Sequence, residues 1–169
     1  WFEKSAEQNY LDGLRHLAFC YAFGDGVKSS KSKSQELYRR AFPICLELAE
    51  QGDSSAIALM AKSYWLGQGV KRDFTLAVHW YEKSAEFGDL EAMCRLGEFY
   101  ERGQGVPKDA AAAAEWYRKA SNHGSPYGLY KLAFFYEKGC GVEQDMEKAY
   151  ALYCTAADWG SGDAREALG

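Results

Sequence analysis

No stretch of this sequence approaches the ~20 consecutive apolar residues that a membrane-spanning helix needs, so no span is expected. No Cys-x-x-Cys pair occurs either. The five cysteines, at 20, 45, 94, 140 and 154, are an odd number. Their spacing suggests neither a zinc site nor a disulfide framework, and it points toward a reducing, cytoplasmic compartment. Positive charge is not in excess: the formal net charge is −4. Nothing draws a phosphate backbone over distance, which excludes nucleic acid as the expected partner. The longest basic run, 28–33, is interrupted by serines and reads as a solvated loop or helix start. No signal peptide is visible, and the chain opens at Trp1 in mid-pattern, as a fragment or processed form would. Disorder-prone composition is missing too. With 47% hydrophobic and 26% charged residues over 169 positions, the chain has the composition and length of one globular domain.

What is present is a repeat. Gly24-Asp25-Gly26-Val27 returns as Gly67-Gln68-Gly69-Val70, as Gly103-Gln104-Gly105-Val106 and as Gly139-Cys140-Gly141-Val142. The steps are 43, 36 and 36 residues, the range of stacked supersecondary units. Other columns keep the step: Trp80-Tyr81, Trp116-Tyr117 and Leu152-Tyr153; Gly52, Gly88, Gly124 and Gly160; Tyr64, Tyr100 and Tyr136. The repeat boundaries fall at 10–52, 53–88, 89–124 and 125–160, with partial copies at 1–9 and 161–169.

Each copy reads as two helices. Ala92, Leu96 and Tyr100 lie at i, i+4, i+8 on one face of a helix A, about 89–102. Ala113, Trp116, Tyr117 and Ala120 lie at i, i+3, i+4, i+7 on a helix B that starts near Asp109 and ends before Gly124. Asp73, Asp109 and Asp145 sit where a helix B begins and can cap its free N–H groups. The first glycine of each Gly-x-Gly suits a left-handed helix end. Gly97 is expected to let a neighbouring helix approach closely, and Trp116 is expected to be buried between copies. The longer first step leaves seven surplus residues, Ser- and Lys-rich, read as a longer loop plus a lengthened first turn of helix B. Pro43 would kink that helix or begin its second part.

Ala92-Met93-Cys94-Arg95-Leu96-Gly97, continuing through Tyr100, Gly103, Gly105-Val106, Asp109, Ala113, Trp116-Tyr117 and Ala120, resembles the Sel1-like repeat family, relatives of the tetratricopeptide repeats. The resemblance covers essentially the whole chain. It implies an all-α, right-handed α/α solenoid of stacked helix-turn-helix repeats. It also implies protein binding, since members act mostly as adaptors in complexes, including endoplasmic-reticulum degradation assemblies and bacterial proteins that meet host factors. It leaves secreted, periplasmic and endoplasmic-reticulum locations open. A cysteine-rich branch ties successive helices with regularly spaced cysteines. That spacing is lacking here, and those disulfides are not carried over.

Little in the chain points to catalysis. Gly-x-Gly-Val follows a helix and repeats as a corner, whereas a phosphate cradle follows a strand. His16, His79 and His123 fall in different columns without metal-ligand spacing. Cys140 reads as an exposed surface thiol. Ser30-Lys31-Ser32-Lys33 contains the Ser-x-x-Lys spacing of penicillin-recognising enzymes, and a weak activity of that kind has been attached to cysteine-rich relatives. No Ser-Asp-Asn or Lys-Thr-Gly phrase accompanies it. A hydrolase of that type is the alternative to a non-enzymatic adaptor without cofactor or metal.

In tetratricopeptide-like stacks the A helices line the concave side. The stripe opposite the core columns therefore gives the candidate partner-binding residues: Arg15, Phe19 and Phe23, Lys62 and Trp65, Glu98, Glu101 and Arg102, Tyr130 and Phe134. These columns vary within the chain while the core columns hold. They carry the aromatic and arginine side chains typical of interface anchors. Trp65 and Phe134 are expected in the groove, with Tyr64 and Tyr136 structural. The partner expected is a protein or peptide. Trp1 to Asn9 parallels the end of a helix B, and the last residues parallel the start of a helix A. Both ends read as cut faces of a longer solenoid, open to end-to-end self-association.

Overall fold

In the computed structural model, residues 10–169 are described, and the partial helix B expected at 1–9 lies outside them. Among the described residues there are nine helices and no strand. They are α1 (Leu11–Phe23), α2 (Lys31–Glu50), α3 (Ser54–Leu66), α4 (Phe74–Glu86), α5 (Leu90–Arg102), α6 (Ala110–Asn122), α7 (Pro126–Lys138), α8 (Met146–Asp158) and α9 (Gly162–Leu168). This is the all-α helix-pair repeat: odd-numbered helices are A, even-numbered are B. The chain divides into two compact units, Trp1–Trp80 and Tyr81–Gly169, with the boundary inside α4.

The helix ends have local causes. Asp109 Oδ1 accepts from the N–H groups of Ala111 and Ala112, and Asp145 Oδ1 accepts from Lys148. The A helices use a second capping column that the pattern of helix B starts did not expose. Asp53 accepts from Ala56, Asp89 from Glu91 and Ala92, Ser125 from Gly128 and Ser161 from Ala164. Losing such a cap costs about 1 kcal/mol. Every A-to-B corner is seven residues long, 24–30, 67–73, 103–109 and 139–145. Each is closed by one backbone bond, from Ser30 N–H to Tyr21 O at 2.8 Å, and from Asp73, Asp109 and Asp145 to Tyr64, Tyr100 and Tyr136 at 3.0 Å.

Because all four corners are equal, the surplus does not lengthen the loop. Helix α2 has 20 residues where α6 and α8 have 13. It runs on through Pro43. A Cβ on Gly141 would strike the backbone of Ala110, the first residue of α6, and a Cβ on Gly69 would strike that of Tyr38 in α2. Tyr38 thus holds the place of a first helix-B residue, and 31–37 extend the helix upstream of it. Seven residues turn a helix by about 700°, within about 20° of two full turns, so the buried face is kept in phase. Ser34, Leu37, Ala41, Cys45 and Ala49 are the buried line.

In the first unit, Leu14 and Ala18 of α1 meet Leu37 and Ala41 of α2. In the second, Ala113, Ala114 and Tyr117 of α6 pack on Leu132 and Phe135 of α7, and Ala149, Tyr153 and Ala156 of α8 pack on Leu129, Ala133 and Ala164. Tyr117 is 0% exposed while Trp116 is only half-buried, with the Lys119 ammonium 4.0 Å from its ring centroid. The inner member of the Trp-Tyr pair is therefore the tyrosine. Gly97 behaves as expected: a Cβ there would lie 2.5 Å from the Tyr117 ring. Phe99 and Phe135, each 2% exposed, form a core column that internal comparison missed because Ser63 stands at that place in the copy at 53–88.

Candidate partner-binding face

On α1, Arg15, Phe19 and Phe23 follow one another at i, i+4, i+8 and share a face. Phe19 and Phe23 are 50% and 73% exposed, with ring centroids 4.5 Å apart. Arg15 is half-buried and lies 3.8 Å from Asp12. On α3, Lys62 and Trp65 are half-buried. Arg15 and Lys62 line the same small cavity of about 30 Å³, together with Tyr38 and Cys45. Burial pushes the Cys45 thiol up to about 11, against the opposing charge of Arg15, and Cys45 Sγ bonds Ala56 O at 3.4 Å. Arg15 also borders an open cleft of about 680 Å³ between α1 and α3, with Asp12, Asp53 and Leu59.

In the second unit, Glu98 and Glu101 are partly buried on α5 and Arg102 is exposed. Tyr130 and Phe134 are half-buried on α7. The structure joins several of these through residues outside the candidate stripe. Arg95 donates to Glu98 Oε2 at 2.9 Å, and the Tyr127 hydroxyl donates to Glu98 Oε1 at 2.8 Å. Glu101 accepts from the Tyr117 hydroxyl at 2.7 Å and pairs with Lys131 at 2.8 Å. Burial works to raise the Glu101 pKa, but the bonds from Lys131 and Tyr117 prevail and hold it below the ordinary carboxylate value. Burial and the Glu101 bond together push the Tyr117 phenol well up. The clasp recurs one copy on, where Tyr153 donates to Glu137 Oε2 at 2.8 Å. Arg95 and Lys131 went unnoticed in the sequence because they lie between the core and stripe columns. For Arg95 the i, i+3 and i, i+4 spacing to Glu98 and Glu91 was the available signal, whereas Lys131 reaches Glu101 across helices and has no such local signal.

Two placements differ from expectation, those of Phe134 and Cys140. Cys94, one turn before Glu98, is 8% exposed and bonds Ser125 Oγ at 3.3 Å. Phe134 packs against two buried clusters, with the Lys131 and Lys138 ammonium groups each 5.8 Å from its ring centroid, so it serves the core as well as the face. Cys140 is half-buried beside Ala113 and Phe135. Residues Leu90, Glu91, Cys94, Arg95 and Glu98 of α5, with Ser125 and Tyr127 at the start of α7, enclose a cleft of about 390 Å³.

The chemistry-bearing side chains elsewhere have structural duties. Ser30 Oγ caps α2 by accepting from Lys33 N–H at 3.4 Å, and the Lys33 ammonium stands 5.0 Å from the Tyr21 ring centroid. His16 and His123 bond the backbone oxygens of Asp12 and Lys119. No cluster of three metal-ligating side chains occurs among the described residues, and among them no helix is long and apolar enough to cross a membrane.

The Sel1 repeat pattern matches residues 1–10, 11–42, 54–89, 90–125 and 126–161. No curated protein matches the sequence. Among solved structures, the chain is similar to a protective antigen of uropathogenic Escherichia coli strains displaying an SLR fold, at 36% identity and a TM-score of 0.72. It is also similar to a Sel1 repeat protein from Oxalobacter formigenes, at 29% and 0.77. Each match covers 99% of this chain, which spans 34% of the first protein and 64% of the second. Helicobacter pylori cysteine rich protein B shares the fold at 23% identity and a TM-score of 0.63, over 77% of this chain and 96% of that one.

Proposed function

Because the chain belongs to the Sel1 repeat family, we propose that it is a non-enzymatic adaptor that binds a protein or peptide segment on the faces of its A helices. The observation that carries this reading is the exposed aromatic pair of α1. Phe19 and Phe23 pack against each other with their rings tilted by 43°, on the helix face that also carries Arg15, and are held out of the core by a helix whose inner face is already filled by Leu14 and Ala18. Large rings left in water at one place, next to a guanidinium, are the composition of an interface anchor. In the second unit, Tyr130 offers a similar half-buried ring, 6.4 Å from that of Tyr127.

Selection of a displayed random-peptide library on the full chain, followed by calorimetry of the recovered peptides, tests the proposal. Phe19→Ala or Tyr130→Ala should weaken a recovered peptide by about 2 kcal/mol if the ring is an anchor, while Lys108→Ala, in a corner, leaves it unchanged. Peptides that bind all three variants equally would place recognition elsewhere. The competing hydrolytic reading would gain ground from turnover of nitrocefin. The duties of Ser30 as a cap and Lys33 as a cation over Tyr21 favour the adaptor.

A further inference from the structure

The first helix and the corner after it carry a charge opposite to that of the chain as a whole. Residues 11–33 hold four Lys and Arg against two Asp, while the remaining residues hold 16 against 22 Asp and Glu. The cations bracket the exposed rings. Arg15 lies one turn before Phe19 on the same face of α1. Beyond Phe23 the corner folds back onto the helix end. A Cβ on Gly24 would lie 3.5 Å from that of Ser29, Ser30 N–H donates to Tyr21 O at 2.8 Å, and the Lys33 ammonium stands 5.0 Å from the Tyr21 ring centroid. Lys28, Lys31 and Lys33 are thus returned to the end of α1 that bears Phe23, and all three are exposed. Among the described residues none of the three has an ion-pair partner. Two carboxylates share the stretch: Asp12 is already paired with Arg15 at 3.8 Å, and Asp25 lies in the corner.

The ring pair belongs to α1 alone. At the places of Phe19 and Phe23, the later A helices have Lys62 and Leu66, Glu98 and Arg102, and Phe134 and Lys138. A segment that covers Phe19 and Phe23, 50% and 73% exposed, must come to rest between Arg15 and the three lysines. An acidic segment is repelled by most of this chain and attracted here; a basic one meets four cations. An anionic membrane surface shares that chemistry, but such surfaces are read by clusters of about four to eight Lys and Arg. Here four cations alternate with two aspartates, which suits charges matched one by one on a polypeptide.

We propose that the end of α1 docks a partner segment that combines aromatic or aliphatic side chains with Asp and Glu. Its apolar side chains cover Phe19 and Phe23, and its carboxylates lie toward Arg15 on one side and Lys28, Lys31 and Lys33 on the other. The inference rests on the adaptor reading and adds the chemistry of the partner.

The test is a displayed random-peptide library selected on the full chain, with peptides that still bind Phe23→Ala removed. The remainder should be rich in Asp and Glu beside apolar residues and poor in Lys and Arg. A recovered acidic peptide, titrated into the ¹⁵N-labelled full chain, should shift the amides of Phe19, Phe23 and Lys28 saturably. Phe23→Ala should weaken it by about tenfold or more, as for an interface anchor. Lys28→Gln should weaken it about two- to five-fold, the range for an exposed charge pair, and added salt should weaken it too. Lys108→Gln, in a corner of the second unit, should not. Phe23-dependent peptides that are neutral or basic, or no Phe23-dependent peptide at all, would overturn the proposal. So would equal loss in Lys28→Gln and Lys108→Gln, which reduces the effect to net charge. Vesicles of phosphatidylcholine and phosphatidylserine in equal parts that shift these amides where no acidic peptide does would put a membrane in the partner's place, and overturn it as well. The adaptor reading is separable: neutral or basic peptides that depend on Phe19 or Tyr130 would sustain it.

Discussion

The same substitution at two equivalent tyrosines should give opposite results. Tyr81 and Tyr117 stand 36 positions apart in helix B, and both are 0% exposed. Tyr→Phe removes one oxygen and keeps the ring, so packing is held constant. At position 117 the lost hydroxyl was donating to Glu101 at 2.7 Å. A hydrogen bond to a charged group contributes about 1.5–3 kcal/mol. Glu101 keeps Lys131 at 2.8 Å, which places the loss near the lower end, about 1.5 kcal/mol. At position 81 the hydroxyl is buried without a hydrogen-bond partner among the described residues. Sixteen residues upstream, where Tyr117 and Tyr153 find Glu101 and Glu137, the sequence has Trp65. Removing a desolvated, unbonded hydroxyl should be neutral or stabilising by up to about 1 kcal/mol. In a chain this long, about 1.5 kcal/mol moves Tm by roughly 3–6 °C. Urea and thermal unfolding followed by circular dichroism would measure both variants. Repeat arrays can lose all-or-none behaviour, so hydrogen exchange of α5 and α6 should accompany them. If Tyr81→Phe costs as much as Tyr117→Phe, the contrast between bonded and unbonded hydroxyls is wrong.

Further expectations are open to direct measurement. Tyr117→Ala should cost about 3–5 kcal/mol, as for a fully buried aromatic, and Trp116→Ala clearly less because half its ring is already in water; equal urea midpoints would refute the assignment of the inner residue. Gly97→Val should destabilise by about 1–3 kcal/mol through overpacking against the Tyr117 ring, visible as a lowered urea midpoint with an unchanged slope. The pKa of Glu101 is lowered in the folded state, so its contribution is present above the ordinary carboxylate pKa and is lost as pH falls through the folded value. Glu101→Gln should therefore flatten the acid limb of a stability-versus-pH curve, and an unaltered limb would show that the clasp with Lys131 and Tyr117 carries no linkage.

The period, the corners and most helix limits were legible because glycine, capping aspartate and apolar spacing act locally and recur. Of the insertion's two expected parts, the lengthened helix B is present and the longer loop is not, for a compositional reason. Residues 28–34 look like a loop, but Ser34, Leu37, Ala41, Cys45 and Ala49 keep helical spacing, and that spacing governs. Invariance within the chain identified the Trp-Tyr pair as important without saying which ring points inward; the close approach of Gly97 to Tyr117 decides that. The same criterion overlooked Phe99 and Phe135, since a core column that tolerates Ser63 does not look constant. On the candidate face, Arg15, Phe19 and Phe23 followed from periodicity alone. The links from Arg95 to Glu98 and from Lys131 to Glu101 depend on side-chain reach, some of it between helices 30 residues apart, which no single column reveals.

The extension of α2 has a dynamic consequence. Its Gln35 side chain donates to Gly67 O and accepts from Gly69 N–H, each at 3.2 Å, so the added turns fasten the corner that follows α3. That corner must shed a side-chain clamp as well as its own closing bond before it can open. Corners usually belong to the least protected parts of a fold. Here the Gly69 amide should exchange with solvent slowly, and Gln35→Ala should make it fast while leaving the exchange of α5 to α8 as it was. Seven residues that read as slack in the sequence thus act as a latch, setting how often one joint of the array breathes.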